Sequence, residues 1–226
     1  MYLHIPRILS PDQIVSFHDK LWRADWMDGR ATAGHQSIHV KQNSQLPEGH
    51  PLAVELAAVV RRQLETNPQF MSAALPLRIT PPLFNRYCAG EQYGRHIDGA
   101  VRSVGGGRQL RTDLSATLFL SDPTSYEGGE LLVEQPSGVH VNFKLCAGDL
   151  LLYPGSTVHR VRPVSSGVRL ACFFWVQSMI RDGGRREMLY SLDAAIQRLT
   201  ADVPDHPSLV DLTAHYHNLV RRWAHI

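Results

Sequence analysis

Hydrophobic positions recur along the chain with two different periods. Near both ends apolar residues return every three or four positions, which is typical of helices that bury one face, whereas in the middle they alternate with a period of two. We therefore predict a helical segment over 1–76 that packs on a β core, the β core itself over 77–178, and a second helical segment over 179–226.

The helical segments carry start and stop signals. Ser10 is a candidate N-cap because Pro11 follows it at the first helical position. The apolar stripe that we expect this helix to turn toward the core comprises Ile14, Phe17, Leu21 and Trp22. Further helices are predicted over about Pro51 to Glu65, Glu187 to Leu199 and Ser208 to Trp223. The polar stretch from Asp28 to Gly49 is predicted to be irregular.

The middle segment alternates short apolar runs with turn residues. Seven runs have the length of strands: Leu83 to Tyr87, Leu114 to Leu120, Glu130 to Glu134, Val139 to Phe143, Asp149 to Tyr153, Val158 to Val164 and Val168 to Gln177. Strands at this spacing predict an antiparallel sandwich or barrel, and flanking helices make the fold class α+β. Gly128, Gly129 and Gly148 are predicted to occupy turn positions with positive φ.

Composition excludes several classes of protein. Of the 226 residues 43% are apolar and 19% charged, which excludes a disordered chain, a coiled coil and a collagen-like repeat. The net charge of +2 gives no reason to expect nucleic acid or an anionic membrane as partner. Three cysteines without a CxxC pair favour a reduced compartment. With no signal-like N-terminus and no long apolar run, we predict a soluble, cytoplasmic protein.

Candidate chemistry begins at His96-Ile97-Asp98. In an extended segment residues i and i+2 point to the same side, so the imidazole and the carboxylate can reach one ion. His159, at the head of a late strand, is the strongest candidate for a third ligand. Two histidines and one carboxylate form the facial triad of non-haem Fe(II) oxygenases, although zinc is compatible with the same ligands. The other ten of the twelve histidines are expected to be structural or exposed.

Arg169 lies ten residues beyond His159, and Ser165-Ser166-Gly167 between them is interpreted as a hairpin turn. With an odd number of loop residues, Val161 would face Arg169, and His159 and Arg169 would form a diagonal pair at roughly 7–8 Å. Gly167 would take the left-handed position of the loop. A guanidinium near iron is suited to bidentate binding of a carboxylate. A co-substrate that chelates iron at one end and offers a carboxylate at the other is 2-oxoglutarate.

At these residues the sequence resembles the Fe(II)- and 2-oxoglutarate-dependent dioxygenases of the prolyl-4-hydroxylase type and, within them, the bacterial PKHD-type hydroxylases of the PiuC/YbiX group. The motifs that carry the resemblance are Phe84-Asn85-Arg86-Tyr87, Tyr93-Gly94-Arg95-His96-Ile97-Asp98, Glu127-Gly128-Gly129-Glu130-Leu131, Gly148-Asp149-Leu150-Leu151-Leu152-Tyr153-Pro154, His159, Pro163-Val164, Gly167 and Arg169. The length and the C-terminal helical segment also resemble that group.

The resemblance implies a double-stranded β-helix (jelly roll) core that holds iron on His96, Asp98 and His159. It also implies that Arg169 binds 2-oxoglutarate, that Tyr87 contacts this co-substrate, and that ascorbate keeps the iron ferrous. Related enzymes often place a Ser or Thr two residues after the arginine; here Ala171 stands there, so another hydroxyl, such as that of Tyr87, must serve. Halogenases of this superfamily lack the carboxylate ligand, so Asp98 favours hydroxylation.

The substrate is left open by the sequence. The prolyl hydroxylase likeness implies a protein or peptide, and the group's link by name to iron uptake implies a small molecule. A non-catalytic iron or 2-oxoglutarate sensor and a zinc hydrolase or cupin-like module are alternatives with the same ligands. After Asp98 follows an Arg-rich segment, Arg102 to Arg111. It contains Gly105 to Gly107 and is interpreted equally well as a basic lid over the metal or as a solvated loop. The helical ends are candidates for a homodimer interface.

Overall fold

The computed structural model of the chain describes residues 1–32, 37–104, 107–135 and 137–226. Within these ranges antiparallel sheets are combined with α-helices, so the fold class is α+β, as predicted. The helices are α1 (Pro11–Trp22), α2 (Pro51–Thr66), α3 (Pro68–Ala74), α4 (Gly183–Asp202) and α5 (Ser208–Trp223), with short 3₁₀ turns at Gly29–Thr32 and Ser37–His39.

The strands form two large sheets and two ribbons. In chain order they are β1 (Leu3–Ile5), β2 (Met27–Asp28), β3 (Lys41–Gln42), β4 (Ser44–Gln45), β5 (Pro76–Ile79), β6 (Leu83–Tyr87), β7 (Gln92–His96), β8 (Val101–Ser103), β9 (Gln109–Arg111), β10 (Leu114–Phe119), β11 (Tyr126–Gly128), β12 (Leu131–Glu134), β13 (His140–Phe143), β14 (Leu150–Pro154), β15 (His159–Val161), β16 (Val164–Gly167) and β17 (Arg169–Ser178).

The larger sheet has the strand order β1-β14-β10-β17-β6-β4-β2, and β5 adds to it by pairing with β17. Every residue of β10 is buried, because one face of the sheet packs against helices while the other faces the interior. The core on the helical side includes Phe17, Leu56, Phe70 and Phe174.

The smaller sheet has the order β13-β12-β15-β7-β3, and β11 pairs with β16 and β8 with β9 in two separate ribbons. A second apolar cluster joins residues of both large sheets, among them Tyr87, Phe119, Val133 and Val161. The antiparallel pairing predicted for the middle segment is therefore confirmed.

Helix α1 begins where the sequence predicts. The Ser10 hydroxyl accepts from the Gln13 backbone N–H, and the Gln13 side chain accepts from the Ser10 N–H, so the two residues form a capping box. Phe17 and Leu21 are buried, but the prediction for Trp22 is wrong, since its side chain is 68% exposed. Phe17 and Leu21 are four residues apart and share one face, whereas Trp22 lies about 100° further round the helix.

The predicted hairpin between His159 and Arg169 is wrong. Residues Val164–Gly167 form β16, which pairs with β11, and β15 and β17 belong to different sheets. Gly167 does have positive φ, as predicted, but the reason is a close approach of β11: a Cβ there would lie 2.3 Å from the Ser125 carbonyl oxygen. Gly128, Gly129 and Gly148 also have the predicted positive φ.

The stretch from Asp28 to Gly49, predicted to be irregular, contributes short strands to both large sheets, and helix α3 had no predicted counterpart. At the other end of the chain α4 and α5 pack together, with Leu75, Ile180 and Leu189 buried beneath them. Among the described residues, no helix is long and apolar enough to cross a bilayer.

Candidate metal centre

Two neighbouring strands bring the predicted ligand residues together. His96 ends β7, Asp98 follows two residues later, and His159 begins β15 directly opposite His96. One potential ligand atom from each of the three residues lies within 4.8 Å of the others, and His159 Nε2 is 3.8 Å from Asp98 Oδ2. Among the described residues, this is the only such group of His, Cys, Asp and Glu side chains.

Backbone carbonyls fix the orientation of both imidazoles. His96 Nδ1 donates to the Gly94 carbonyl oxygen at 2.8 Å, and His159 Nδ1 donates to the Thr157 carbonyl oxygen at 2.9 Å. Because a carbonyl can only accept, each Nδ1 carries a hydrogen, so in the neutral form of each ring the lone pair is on Nε2. Tyr93 stacks on the His96 ring with centroids 3.6 Å apart, so that ring cannot rotate freely. The imidazoles are thus held in the tautomer that binds metals.

Electrostatics favour the ligand forms of His96 and Asp98. Burial, and then the nearby His159 charge, lowers the pKa of His96 to about 4, so its imidazole is neutral near pH 7. Burial opposes ionisation of Asp98, but the His159 charge, the nearby Trp175 indole and the Ser115 hydroxyl together hold the pKa of that carboxyl below its usual value. A neutral histidine and a carboxylate are what a divalent metal requires.

Ser115 is a candidate functional residue that the sequence analysis missed. It lies on β10, and its hydroxyl donates to Asp98 Oδ2 at 2.7 Å, which fixes the carboxylate. Every residue of its strand, Leu-Ser-Ala-Thr-Leu-Phe, is buried, and two of the six carry hydroxyl groups, so the only available signal was a hydroxyl within a buried strand.

Arg169 is the most unusual buried group near the triad. It is 1% exposed, faces Tyr87 across the β17–β6 pair, and its guanidinium carbon lies 5.3 Å from the Tyr87 ring centroid and 5.4 Å from that of Phe119. In the described part of the chain Arg169 forms no ion pair, and its Nε and Nη2 make no hydrogen bond of standard geometry. A buried guanidinium with free donors matches an incoming carboxylate.

Tyr126 adjoins this guanidinium and was also missed. Its buried hydroxyl makes no hydrogen bond of standard geometry within the described residues. A Cβ on Gly129 would come within 3.0 Å of both Arg169 Cδ and Tyr126 Cε2, so the glycine leaves just enough room for the two side chains. Related enzymes have a Ser or Thr hydroxyl where this chain has Ala171. Tyr126 is therefore a second candidate, beside Tyr87, to supply a hydroxyl next to the guanidinium.

One cavity of about 790 Å³ is lined by all five residues that the sequence singled out: His96, Asp98, His159, Arg169 and Tyr87. Four of them lie on strands of the two large sheets, and Asp98 follows β7. The facing sheets bring the five residues together, and the predicted hairpin has no part in this. The cavity therefore combines three side chains that could hold a metal ion with a buried cation suited to a carboxylate.

The Arg-rich segment after Asp98 lies beside the same cavity. Arg102 of β8 lines it, and β8 pairs with β9 as a ribbon. Gly107 has positive φ, whereas Gly105 and Gly106, on which the lid interpretation depends, lie outside the described residues.

Family comparisons match most of the chain. A family model described as "2OG-Fe(II) oxygenase superfamily" matches residues 82–177, and one described as "PKHD-type hydroxylase C-terminal domain" matches residues 183–225. The PKHD-type hydroxylase PiuC of Pseudomonas aeruginosa is 52% identical over 227 residues, and a PKHD-type hydroxylase of Xanthomonas axonopodis pv. citri is 54% identical over 229 residues. Both alignments cover 100% of this chain and of the relative.

Solved structures with a similar fold are more distant in sequence. A Pseudomonas putida prolyl-4-hydroxylase has a TM-score of 0.55 at 19% identity, with 78% of this chain and 92% of that chain covered. HygX from Streptomyces hygroscopicus, solved with nickel, 2-oxoglutarate and hygromycin B bound, has a TM-score of 0.53 at 19% identity, with 78% and 82% covered. At a sequence identity of 19%, the similarity shows a shared fold only.

Proposed function

The chain belongs to the PKHD-type hydroxylase family and is a 2-oxoglutarate- and Fe(II)-dependent dioxygenase; on that premise we propose that it hydroxylates a substrate C–H bond with release of succinate and CO₂. The observation that carries the proposal is the convergence of the His96, Asp98 and His159 ligand atoms within 4.8 Å at the wall of a cavity that also contains the buried Arg169.

We assign the iron to His96 Nε2, His159 Nε2 and the Asp98 carboxylate. The tautomers fixed by the backbone carbonyls, the hydrogen bond from Ser115 and the lowered pKa of Asp98 all support this ligand set. When bound, Fe(II) and 2-oxoglutarate supply the oxidising chemistry, while the chain supplies geometry and a site screened from water. The carboxylate of Asp98 supports hydroxylation in preference to halogenation.

We assign the far carboxylate of 2-oxoglutarate to Arg169, with Tyr87 as a contact of the co-substrate. Within the described residues the Nε and Nη2 of the guanidinium make no hydrogen bond of standard geometry, which supports this role, because two parallel N–H groups match the two oxygens of a carboxylate. Burial strengthens the interaction by excluding competing water.

The finer features that the resemblance implies belong to the same proposal. We propose that 77–178 is a double-stranded β-helix, flanked by the segments 1–76 and 179–226; the two facing antiparallel sheets support this arrangement. Ascorbate is proposed as the reductant that keeps the iron ferrous. The connection with iron uptake, the cytoplasmic location and the homodimer stay predictions from the sequence.

The test is anaerobic addition of Fe(II) and then 2-oxoglutarate to the metal-free protein, followed by the visible charge-transfer band of the chelate. We expect a band in the wild type, loss of both iron and band in Asp98→Ala, and retention of iron with a weakened band in Arg169→Ala. Arg160→Ala, an exposed arginine of β15, is the matched control and should behave as the wild type.

Two outcomes would contradict the proposal. A wild type that binds iron without giving the band would exclude 2-oxoglutarate as the co-substrate. Equal loss of iron in the Asp98 and Arg169 variants would contradict the separate roles given to them. Substrate-dependent formation of succinate in air then separates a hydroxylase from a non-catalytic sensor.

A further inference from the structure

Two cationic side chains of the cavity wall have no part in the function proposed above: Lys41 of β3 and Arg102 of β8. Lys41 is 4% exposed, and its Nζ donates to Gln45 Oε1 at 3.1 Å. Arg102 is half-buried and stacks on Trp175, with its guanidinium carbon 3.8 Å from the ring centroid. Its guanidinium makes no hydrogen bond or ion pair with the residues that the structure describes.

Each of these cations lies one aromatic ring away from a proposed metal ligand. Lys41 Nζ is 5.4 Å from the centroid of Tyr93, the ring that stacks on His96. Arg102 stacks on Trp175, whose indole is close enough to Asp98 to lower the pKa of that carboxyl. An anionic group held by both cations would therefore lie beside the metal centre without occupying it.

Cationic side chains outnumber carboxylates among the described residues that line the cavity. Among the described lining residues Asp98 is the only carboxylate, and it is committed to the proposed metal and to Ser115. A third lining cation, Arg95, is already paired with Glu134 through bonds of 2.6 and 2.8 Å. Burial, and then repulsion by Arg102, lowers the pKa of Lys41 to about 8. An anion beside both Lys41 and the half-buried Arg102 would be attracted by two positive charges.

Building on the proposed function, we propose that Lys41 and Arg102 form the substrate subsite, and that the substrate is a small organic anion with a carboxylate or phosphate on a flat apolar body. The edge of the Arg102 guanidinium stays available for bidentate binding while its face stacks on Trp175. Tyr93, Phe173 and Trp175 provide aromatic walls for the flat body.

The dimensions of the site support this substrate class. A cavity of about 790 Å³ lies within the range of about 300–1,000 Å³ that is typical of sites for small molecules, and it exceeds what a five-carbon co-substrate fills. Because the two cations are one ring away from the ligand triad, the C–H bond that reacts lies only a few bonds from the anionic group.

The test uses the wild type loaded anaerobically with Fe(II) and 2-oxoglutarate, titrated with benzoate, phenyl phosphate and the neutral benzamide. Binding is followed by calorimetry and by perturbation of the charge-transfer band. We expect at least one anion to bind about tenfold or more tightly than benzamide, as one charge-assisted hydrogen bond would give. Comparison of the two anions distinguishes a carboxylate from a phosphate.

Variants assign the effect to the subsite. Arg102→Gln, which changes a partly exposed residue, and Lys41→Met are each expected to weaken binding of the anion about tenfold and to leave the benzamide affinity unchanged. Arg108→Gln is the matched control, because Arg108 is exposed, follows in the same Arg-rich segment and does not line the cavity. It should bind the anions as the wild type does.

The proposal is overturned if benzamide binds as tightly as the anions, or if Arg108→Gln weakens their binding as much as Arg102→Gln. Loss of the band on adding benzoate would place the anion on Arg169 and would also overturn it. So would a neutral prolyl peptide that binds the wild type and Arg102→Gln equally and stimulates succinate formation. Absence of the band in the wild type instead overturns the proposed function, and calorimetry on the metal-loaded protein still tests the anion subsite.

Discussion

Ser115 illustrates how one hydroxyl contributes to a metal site without binding the metal. Its hydroxyl donates to Asp98 Oδ2 at 2.7 Å, and the same oxygen lies 3.8 Å from His159 Nε2, so the serine fixes the carboxylate beside that imidazole. Loss of a group that orients a ligand typically lowers metal affinity 10–100-fold. We therefore expect Ser115→Ala to weaken Fe(II) binding about tenfold, measured anaerobically by competition with a chelator.

The control for this prediction is Ser166→Ala, which removes an exposed hydroxyl of β16 and should leave Fe(II) affinity unchanged. If Ser115→Ala binds Fe(II) as tightly as this control, the carboxylate is oriented without the serine and its role as a positioning residue is excluded.

The two tyrosines near Arg169 make different predictions for the binding of 2-oxoglutarate. Tyr87 lines the cavity, whereas Tyr126 adjoins the guanidinium with a buried hydroxyl. A hydrogen bond to a charged group contributes about 1.5–3 kcal/mol, so removing the hydroxyl that contacts the co-substrate should raise its Kd about tenfold or more. We expect Tyr87→Phe to show this increase, with iron affinity unchanged.

Tyr190→Phe is a control, because Tyr190 lies on α4 and its hydroxyl accepts from Gln69. A larger increase in the 2-oxoglutarate Kd for Tyr126→Phe than for Tyr87→Phe would transfer the role to Tyr126.

At the scale of single residues, the sequence predicts groups whose chemistry and spacing are both distinctive. His96 and Asp98 are two positions apart on one extended segment, so the spacing in the sequence is enough to predict that their side chains lie close together. Ser115, Lys41 and Arg102 reach the cavity only through long-range strand pairing. Serine and basic residues are common, so nothing in the sequence distinguishes these three from exposed ones.

At the scale of elements, strong periodicity and capping signals were sufficient for α1, α2 and the buried strands. The two-residue strands between Asp28 and Gly49 are too short to show a period, and pairing with β6 and β7 defines them. The predicted hairpin failed for a related reason. Ser165-Ser166-Gly167 has the composition of a turn, but hydrogen bonding to β11 makes it part of a strand. No local feature of the sequence indicates that β11 is its partner.

Gly129, the residue directly after β11, offers a test of how the backbone positions a functional side chain. Gly129 has φ +66°, and a Cβ there would meet Arg169 Cδ at 3.0 Å, whereas Gly138 has φ +79° with open space around it. Left-handed backbone costs an L-residue about 1–2 kcal/mol, so Gly129→Ala and Gly138→Ala should both lower the free energy of unfolding in urea. Only Gly129→Ala should also weaken 2-oxoglutarate binding, because only it displaces the guanidinium.

If both alanine variants bind 2-oxoglutarate equally well, Arg169 tolerates the displacement and the glycine serves the backbone alone. Weakened binding in Gly138→Ala would instead indicate a general effect of backbone strain on the fold.

At the scale of the whole molecule, the site places the cation of Arg169 in the interior between the two large sheets. Arg169 is 1% exposed and lies against apolar and aromatic residues between the two sheets. Burying a charge without a paired carboxylate is unfavourable, so the fold carries a cost that the bound co-substrate would offset. Function and stability therefore make opposite demands on Arg169.

This opposition gives a prediction that a purely structural role for Arg169 would not give. Arg169→Met keeps an apolar stem of similar reach and removes the charge, so the ligand-free variant should melt at the same temperature as the wild type or higher. In the wild type, Mn(II) with excess 2-oxoglutarate should raise Tm by mass action, because both bind the folded state alone. In Arg169→Met the increment due to 2-oxoglutarate should disappear while that due to Mn(II) stays.

Arg160→Met is the comparison, since substitution of an exposed arginine should change the free energy of unfolding by less than about 0.5 kcal/mol. For a chain of this length 1 kcal/mol corresponds to roughly 2–4 °C in Tm, so these shifts can be resolved by calorimetry. A ligand-free Arg169→Met that melts more than about 5 °C below the wild type would show that the guanidinium supports the fold itself. In that case its unpartnered nitrogens would no longer argue for a carboxylate ligand.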